Sequence, residues 1–216
     1  MTKIYLIRHG ETIFNKEHKI AGQIETDLTE LGRLQALETG KKLQSDGVKF
    51  DVILCSTLKR AKDTAKIIAQ NVPAPIIYDD NLKEFSNGIY EGTKIEDLEK
   101  IIFEPPYKTS GFEFSNGTDL YAAYSSFDPC YDMLCYPKGE TKRQACERFM
   151  SAIKHYLDTH HNTKNLCVVA HGAVIRFMLL KICPDLLIEK IKNAEVRIVL
   201  YEHNKGFYCN KQNNDF

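Results

Sequence analysis

Three features predict an α/β fold of three layers, α/β/α, with a mostly parallel central sheet and an inserted cap segment. Apolar runs of strand length alternate with longer stretches of helical periodicity along the 216-residue chain, the order that builds a parallel sheet covered by helices on both faces. Two of those runs, Ile4-Tyr5-Leu6-Ile7 and Leu166-Cys167-Val168-Val169-Ala170, each lead into a His-Gly pair. The alternation is interrupted once, over residues 103–138.

The elements follow in order. Residues 3–7 are an apolar run of strand length. Thr29 suits an N-cap, because its hydroxyl can accept from a free N–H of the first turn. The helix it opens reaches residue 43 with Leu31, Leu34, Leu37 and Leu43 at helical spacing. Residues 51–55 are the next strand, and Ser56-Thr57 starts a helix that runs to residue 70. Residues 75–78 read as a short strand and residues 95–102 as a short helix. A long helix over 141–159 turns Ala145, Phe149, Ile153 and Tyr156 or Leu157 inward. Strand 165–170, helix 173–182 and strand 196–201 complete the alternation, with 206–209 as an edge strand. The chain thus reads as a single domain, residues 1–216, with 103–138 as a cap or lid. That segment holds nine aromatics without periodicity, and so long a loop inside a compact domain serves function or carries structure of its own.

Composition narrows the function. A hydrophobic content of 43% is enough to build a core and argues against disorder. Lysine plus arginine and aspartate plus glutamate both number 29, so neither nucleic acid nor an anionic membrane is the expected partner. No run approaches the roughly 20 apolar residues of a membrane span. The N-terminal apolar run is too short for a signal peptide. The seven cysteines are odd in number and scattered, which suggests reduced thiols in a cytoplasmic protein. His18, His155, His160, His161 and His203 lie in polar stretches, and Cys130 and Cys135 have no partners at zinc-site spacing. No metal and no cofactor is expected.

The chemistry lies at the strand ends. Arg8-His9-Gly10 puts a guanidinium and an imidazole where a strand gives way to a loop, the edge at which open α/β sheets bind ligands. His171 ends a second strand, so the two histidines can meet over one site and hold a phosphoryl group between a nucleophile and a stabilising partner. Imidazole is nucleophilic near neutrality, with an ordinary pKa of about 6.5. Guanidinium forks match phosphoryl oxygens in geometry and charge.

These residues bear a family resemblance. Leu6-Ile7-Arg8-His9-Gly10-Glu11-Thr12 resembles the signature of the histidine phosphatase superfamily, in its phosphoglycerate mutase-like branch. Four further segments agree in chain order: Ser56-Thr57-Leu58-Lys59-Arg60-Ala61 with Thr64-Ala65; Leu82-Lys83-Glu84 with Gly88 and Glu91-Gly92; Gly139-Glu140-Thr141; and Val169-Ala170-His171-Gly172. The resemblance implies that His9 is the nucleophile that becomes phosphorylated, that Arg8 and Arg60 bind the phosphate, and that His171 stabilises the transition state. It further implies that Glu84, with Glu91 as competitor, protonates the leaving group, that Asn15 contacts the phosphate, and that Gly172 lets the backbone approach. One departure stands out. Where many relatives carry Gln-Gly-Trp and then Pro-Leu-Thr, this chain has Ala21-Gly22-Gln23 and Asp27-Leu28-Thr29. Whether Gln23 replaces the missing glutamine is left open.

The expected activity is metal-independent hydrolysis of a small-molecule phosphomonoester through a phosphohistidine. The alternatives are a cofactor-primed phosphoglycerate mutase and a non-catalytic phosphoester-binding protein. A mutase needs extra cations to hold a second phosphate, yet residues 103–138 carry five acids against two bases. A binder would be expected to lack His9 or Glu84. Oligomeric state is not readable from the sequence.

Overall fold

The computed structural model describes residues 1–102, 108–109, 112–113, 135–184 and 190–209. The strands are β1 (Thr2–Arg8), β2 (Val52–Ser56), β3 (Ile76–Asp79), β4 (Lys108–Thr109), β5 (Phe112–Glu113), β6 (Asn165–Ala170), β7 (Val196–Glu202) and β8 (Gly206–Cys209). The helices are α1 (Ile13–Lys16), α2 (Glu30–Ser45), α3 (Lys59–Ala69), α4 (Ile95–Ile102), α5 (Lys142–Thr159) and α6 (Gly172–Ile182). Six strands form one sheet in the order β3-β2-β6-β1-β7-β8. The first four run parallel, β7 is antiparallel to β1, and β8 is antiparallel to β7, so the predicted mixed α/β fold with a mostly parallel central sheet is observed. β4 and β5 pair as a small separate ladder. Apart from these four residues and 135–138, the cap assigned to 103–138 lies outside the described residues.

Alternation along the central strands divides the core in two, because successive side chains leave a strand on opposite faces. Ile4, Leu6, Val52, Leu54, Leu166 and Val168 pack against Phe149, Ile153 and Leu157 of α5 and Val174, Ile175 and Met178 of α6. Tyr5, Ile7, Ile53, Cys55, Cys167 and Val169 face Leu43 of α2 and Ala61, Ala65 and Ile68 of α3. Apart from Lys3 and Asn165, every residue of β1, β2 and β6 is buried, as parallel strands covered on both faces should be.

Two expectations are corrected. The leucine stripe of α2 coincides with its buried face only at Leu43. Leu31 and Leu34 are exposed, and the helix buries Gly32, Ala36 and Gly40 along with Leu43. The reason is close approach. A Cβ on Gly10 would lie 2.2 Å from the Gly32 carbonyl oxygen, and one on Gly32 would lie 2.0 Å from that of Glu11. The start of α2 therefore rests directly on the loop after β1, where leucine would not fit. The second correction concerns the thiols: Cys183, just after α6, and Cys209 of β8 are joined by a disulfide, with Cα atoms 6.0 Å apart. Among the described residues no helix is long and apolar enough to cross a membrane.

Candidate active site

Register brings the two histidines together. Arg8 of β1 pairs with Ala170 of the adjacent parallel β6, and the His9 N–H continues the ladder by donating to the Ala170 carbonyl at 3.0 Å. His9 and His171 are thus the next residues on neighbouring strands, with ring centroids 5.2 Å apart. Both lie at the carboxyl edge of the sheet, where strand ends and helix starts converge.

The loop that carries His9 is locked from several sides. Gly10 N–H donates to Thr64 Oγ1 of α3 at 3.1 Å, and Glu11 N–H donates to Gln35 Oε1 of α2 at 2.9 Å. Thr12 caps α1 reciprocally with Asn15. His9 Nδ1 lies 2.7 Å from the Gly10 carbonyl oxygen. A carbonyl only accepts, so Nδ1 carries the proton and Nε2 keeps its lone pair. Among the described residues no donor reaches that Nε2.

His171 has the opposite tautomer. Arg60 Nε donates to its Nδ1 at 3.2 Å, so Nε2 carries the proton and donates to Ser56 Oγ at 2.7 Å. Ser56 also accepts from Leu58 N–H, which fixes the hydroxyl at the end of β2. Burial pushes both imidazoles well below their ordinary value of 6.5, and the Arg60 and Arg8 cations add to the effect. Both are therefore neutral at neutral pH.

That has a consequence for stability. Below 6.5 the unfolded chain takes up protons on His9 and His171 that the folded chain does not. Stability is therefore whole above that value, begins to fall as pH drops below it, and goes on falling until the folded-state value is reached. Thermal melts between about pH 8 and pH 5 should show a midpoint that holds and then declines. The decline should shrink in His9→Ala; a flat midpoint in the wild type would mean the imidazoles are not held neutral.

The arginines have distinct tasks. Arg60, on the first turn of α3, is fully buried. It donates to the Ile24 and Gly22 carbonyls at 2.8 and 2.7 Å as well as to His171, which commits three of its five N–H donors. Arg8 donates through Nη1 to the Ile191 carbonyl at 2.6 Å, while among the described residues its buried Nε has no partner. A guanidinium N–H in that position can donate to an anion. Burial works against the charge on both arginines, and the Glu84 carboxylate works for it. Gly172 lies under Arg8, since a Cβ there would sit 3.2 Å from Arg8 Nε.

Glu84 reaches the start of α6, where Oε2 accepts from Ala173 N–H at 3.1 Å and Oε1 from Val174 N–H at 3.2 Å. A helix N-terminus favours an anion through its free N–H groups and its dipole. Glu91 faces its own loop, where Oε1 accepts from Ser86 Oγ and Asn87 N–H. Glu84, not Glu91, is therefore held at the start of the helix that follows His171. Asn15 Oδ1 accepts from Thr12 N–H and from Asn193 Nδ2, each at 3.2 Å. Its amide N–H groups remain to donate.

The structure thus assembles His9, His171, Arg8, Arg60, Glu84, Asn15 and Gly172 around one strand edge. Two further residues, given no role from the sequence, belong to it: Ser56 and Asn193, which orient His171 and Asn15. Gln23, whose role the sequence leaves open, donates through Nε2 to the Glu84 carbonyl at 3.0 Å. Ser56 ends an apolar strand just before the Arg60 motif, and that position was the available signal. Asn193 offered none, being placed by contacts across more than 170 residues.

Comparison with known proteins shows the family. The family model of the histidine phosphatase superfamily (branch 1) matches residues 4–215. The chain is 33% identical over 201 residues to a metal-independent phosphoserine phosphatase of Arabidopsis thaliana, covering 92% of this chain and 76% of that protein. It is 32% identical over 197 residues to an uncharacterised phosphatase of Bacillus subtilis (strain 168), covering 90% and 86%. In fold it is similar to a phosphoglycerate mutase from Bacillus anthracis, with a TM-score of 0.81 at 21% identity over 97% of this chain and 91% of that one. Matched along nearly its whole length, and with both histidine motifs on adjacent strands, this chain belongs to the histidine phosphatase superfamily, branch 1, as one of its phosphatases.

Proposed function

We propose that the protein hydrolyses small-molecule phosphomonoesters without a metal, through a phosphohistidine on His9. The observation that carries this reading is the His9 tautomer: Nδ1–H is tied to the Gly10 carbonyl, which leaves an unprotonated Nε2 beside His171 and two buried arginines. In the first step Nε2 attacks phosphorus while the bond to the ester oxygen breaks. The departing oxygen takes a proton from Glu84 in its acid form. In the second step Glu84, now a carboxylate, takes a proton from water as the water oxygen attacks phosphorus; the N–P bond breaks and inorganic phosphate leaves. Splitting one displacement into two is the gain from a covalent intermediate.

The remaining residues stabilise charge, which is where most of the catalysis of phosphoryl transfer lies. Arg8 Nε–H, the uncommitted N–H groups of Arg60 and the Asn15 amide supply donors to the phosphoryl oxygens, while His171 holds the Arg60 guanidinium in place through its Nδ1. The relative named a phosphoserine phosphatase supports an alkyl ester as substrate.

The test is phosphate release in EDTA from a panel that includes phosphoserine, 4-nitrophenyl phosphate and 3-phosphoglycerate. Release that persists in EDTA is the expected result. Formation of 2-phosphoglycerate from the 3-isomer without phosphate release would instead assign a mutase.

A further inference from the structure

The acid loop is gripped by a residue that has no place in the chemistry described so far. Arg148 lies two turns into α5 and uses all five of its N–H donors. Nη1 donates to the Asn81 carbonyl at 2.8 Å and to that of Lys83 at 2.7 Å, and Nη2 donates to that of Glu84 at 2.8 Å. The remaining two bonds form a fork on Glu140, from Nε to Oε2 at 2.9 Å and from Nη2 to Oε1 at 2.5 Å. Glu140 Oε1 also accepts from Ser86 N–H at 2.8 Å. Arg148 and Glu140 together therefore bind the main chain on both sides of Glu84, and the Gln23 amide donates to the Glu84 carbonyl as well.

We propose that Arg148 is a positioning residue for proton donation by Glu84, a role that rests on the reading of Glu84 as the acid. The Glu84 side chain is held at the start of α6 and its backbone by a side chain of α5. Its carboxyl is thereby placed relative to His171 by two helices, although the loop that carries it has no regular structure from Lys83 to Asn87. Geometry of this kind governs proton transfer, since a small misplacement of the donor costs much of the rate. Lysine cannot replace the grip, because an ammonium lacks the planar fork that spans three carbonyls and a carboxylate.

The readout is dependence on the leaving group. Nitrophenolate departs without help, whereas an alkoxide needs the proton. Arg148→Lys should lower kcat/KM on phosphoserine or glycerol phosphate by on the order of 10²-fold, and on 4-nitrophenyl phosphate by only a few-fold. Equal losses on both substrates would show a merely structural role and overturn the proposal. Should Arg148→Lys fail to fold, Gln23→Ala removes the other donor on the Glu84 carbonyl. It should give the same selectivity in smaller degree, and equal losses there overturn the proposal too. Glu84→Gln separates the two readings. If it is selective for alkyl esters and Arg148→Lys is not, positioning by Arg148 is wrong while the acid stands; if Glu84→Gln harms both substrates alike, Glu84 is not the acid and the proposal falls with it.

Discussion

Replacement of His9 by alanine is expected to lower phosphate release by on the order of 10⁴-fold or more, the scale seen when a covalent nucleophile is removed. The size follows from the site. The other groups around the phosphate are hydrogen-bond donors or an acid, so none can take over the bond to phosphorus. Nearby His171 is no substitute nucleophile: its Nδ1 lone pair is engaged by Arg60, and its Nε2 carries the proton given to Ser56. Affinity for phosphate should survive, because Arg8, Arg60 and Asn15 are untouched. The check has two parts. Rapid quench of the wild type with a ³²P-labelled substrate should trap protein-bound phosphate that is acid-labile and alkali-stable, as a phosphoramidate is, and His9→Ala should trap none. Full phosphate release by the variant would sink the phosphohistidine mechanism.

The candidate site residues are legible in the sequence because they sit at points where the chain has few options. A strand that ends in Arg-His-Gly and another that ends in Ala-His-Gly can be seen without knowing how they pair. What could not be seen is the pairing that makes them a site. The tautomer of His171 depends on β2 lying beside β6, which brings Ser56 and Arg60 to the imidazole. No local pattern records that. The same holds for Arg148, whose partners are carbonyl oxygens more than 60 residues away; every residue type but the one at the donor end is irrelevant to such contacts.

Helix α2 shows how local periodicity can mislead. Leu31 and Leu34 have helical spacing, yet they are exposed, while Gly32, Ala36 and Gly40 are buried. Hydrophobicity ranks leucine above glycine as a core residue, but the loop after β1 approaches too closely for any side chain at Gly32. The helix is placed by that contact, and the demand comes from the site: the loop carrying His9 is rigid because the helix start presses on it.

Arg60 is the second position where a single change should be severe. Arg60→Ala is expected to reduce kcat/KM by roughly 10³-fold, at the upper end of what one lost charge-stabilising donor costs, because two roles are lost together. One is stabilisation of the phosphoryl oxygens. The other is support of the site, since removal of the guanidinium leaves the Gly22 and Ile24 carbonyls and His171 Nδ1 without their donor, at about 1–3 kcal/mol for each buried group left unpaired. A fall in melting temperature should accompany the loss of rate. Arg60→Lys divides the two effects: it keeps a cation but not the fork, so stability should recover in part while kcat/KM stays low. The histidines give an independent signature. The Arg60 charge lowers the pKa of both imidazoles, so its removal in Arg60→Ala should move both back toward 6.5, as an NMR titration of their ring protons would show. If Arg60→Lys instead retains wild-type kcat/KM, a point charge suffices and the fork is not what the transition state requires.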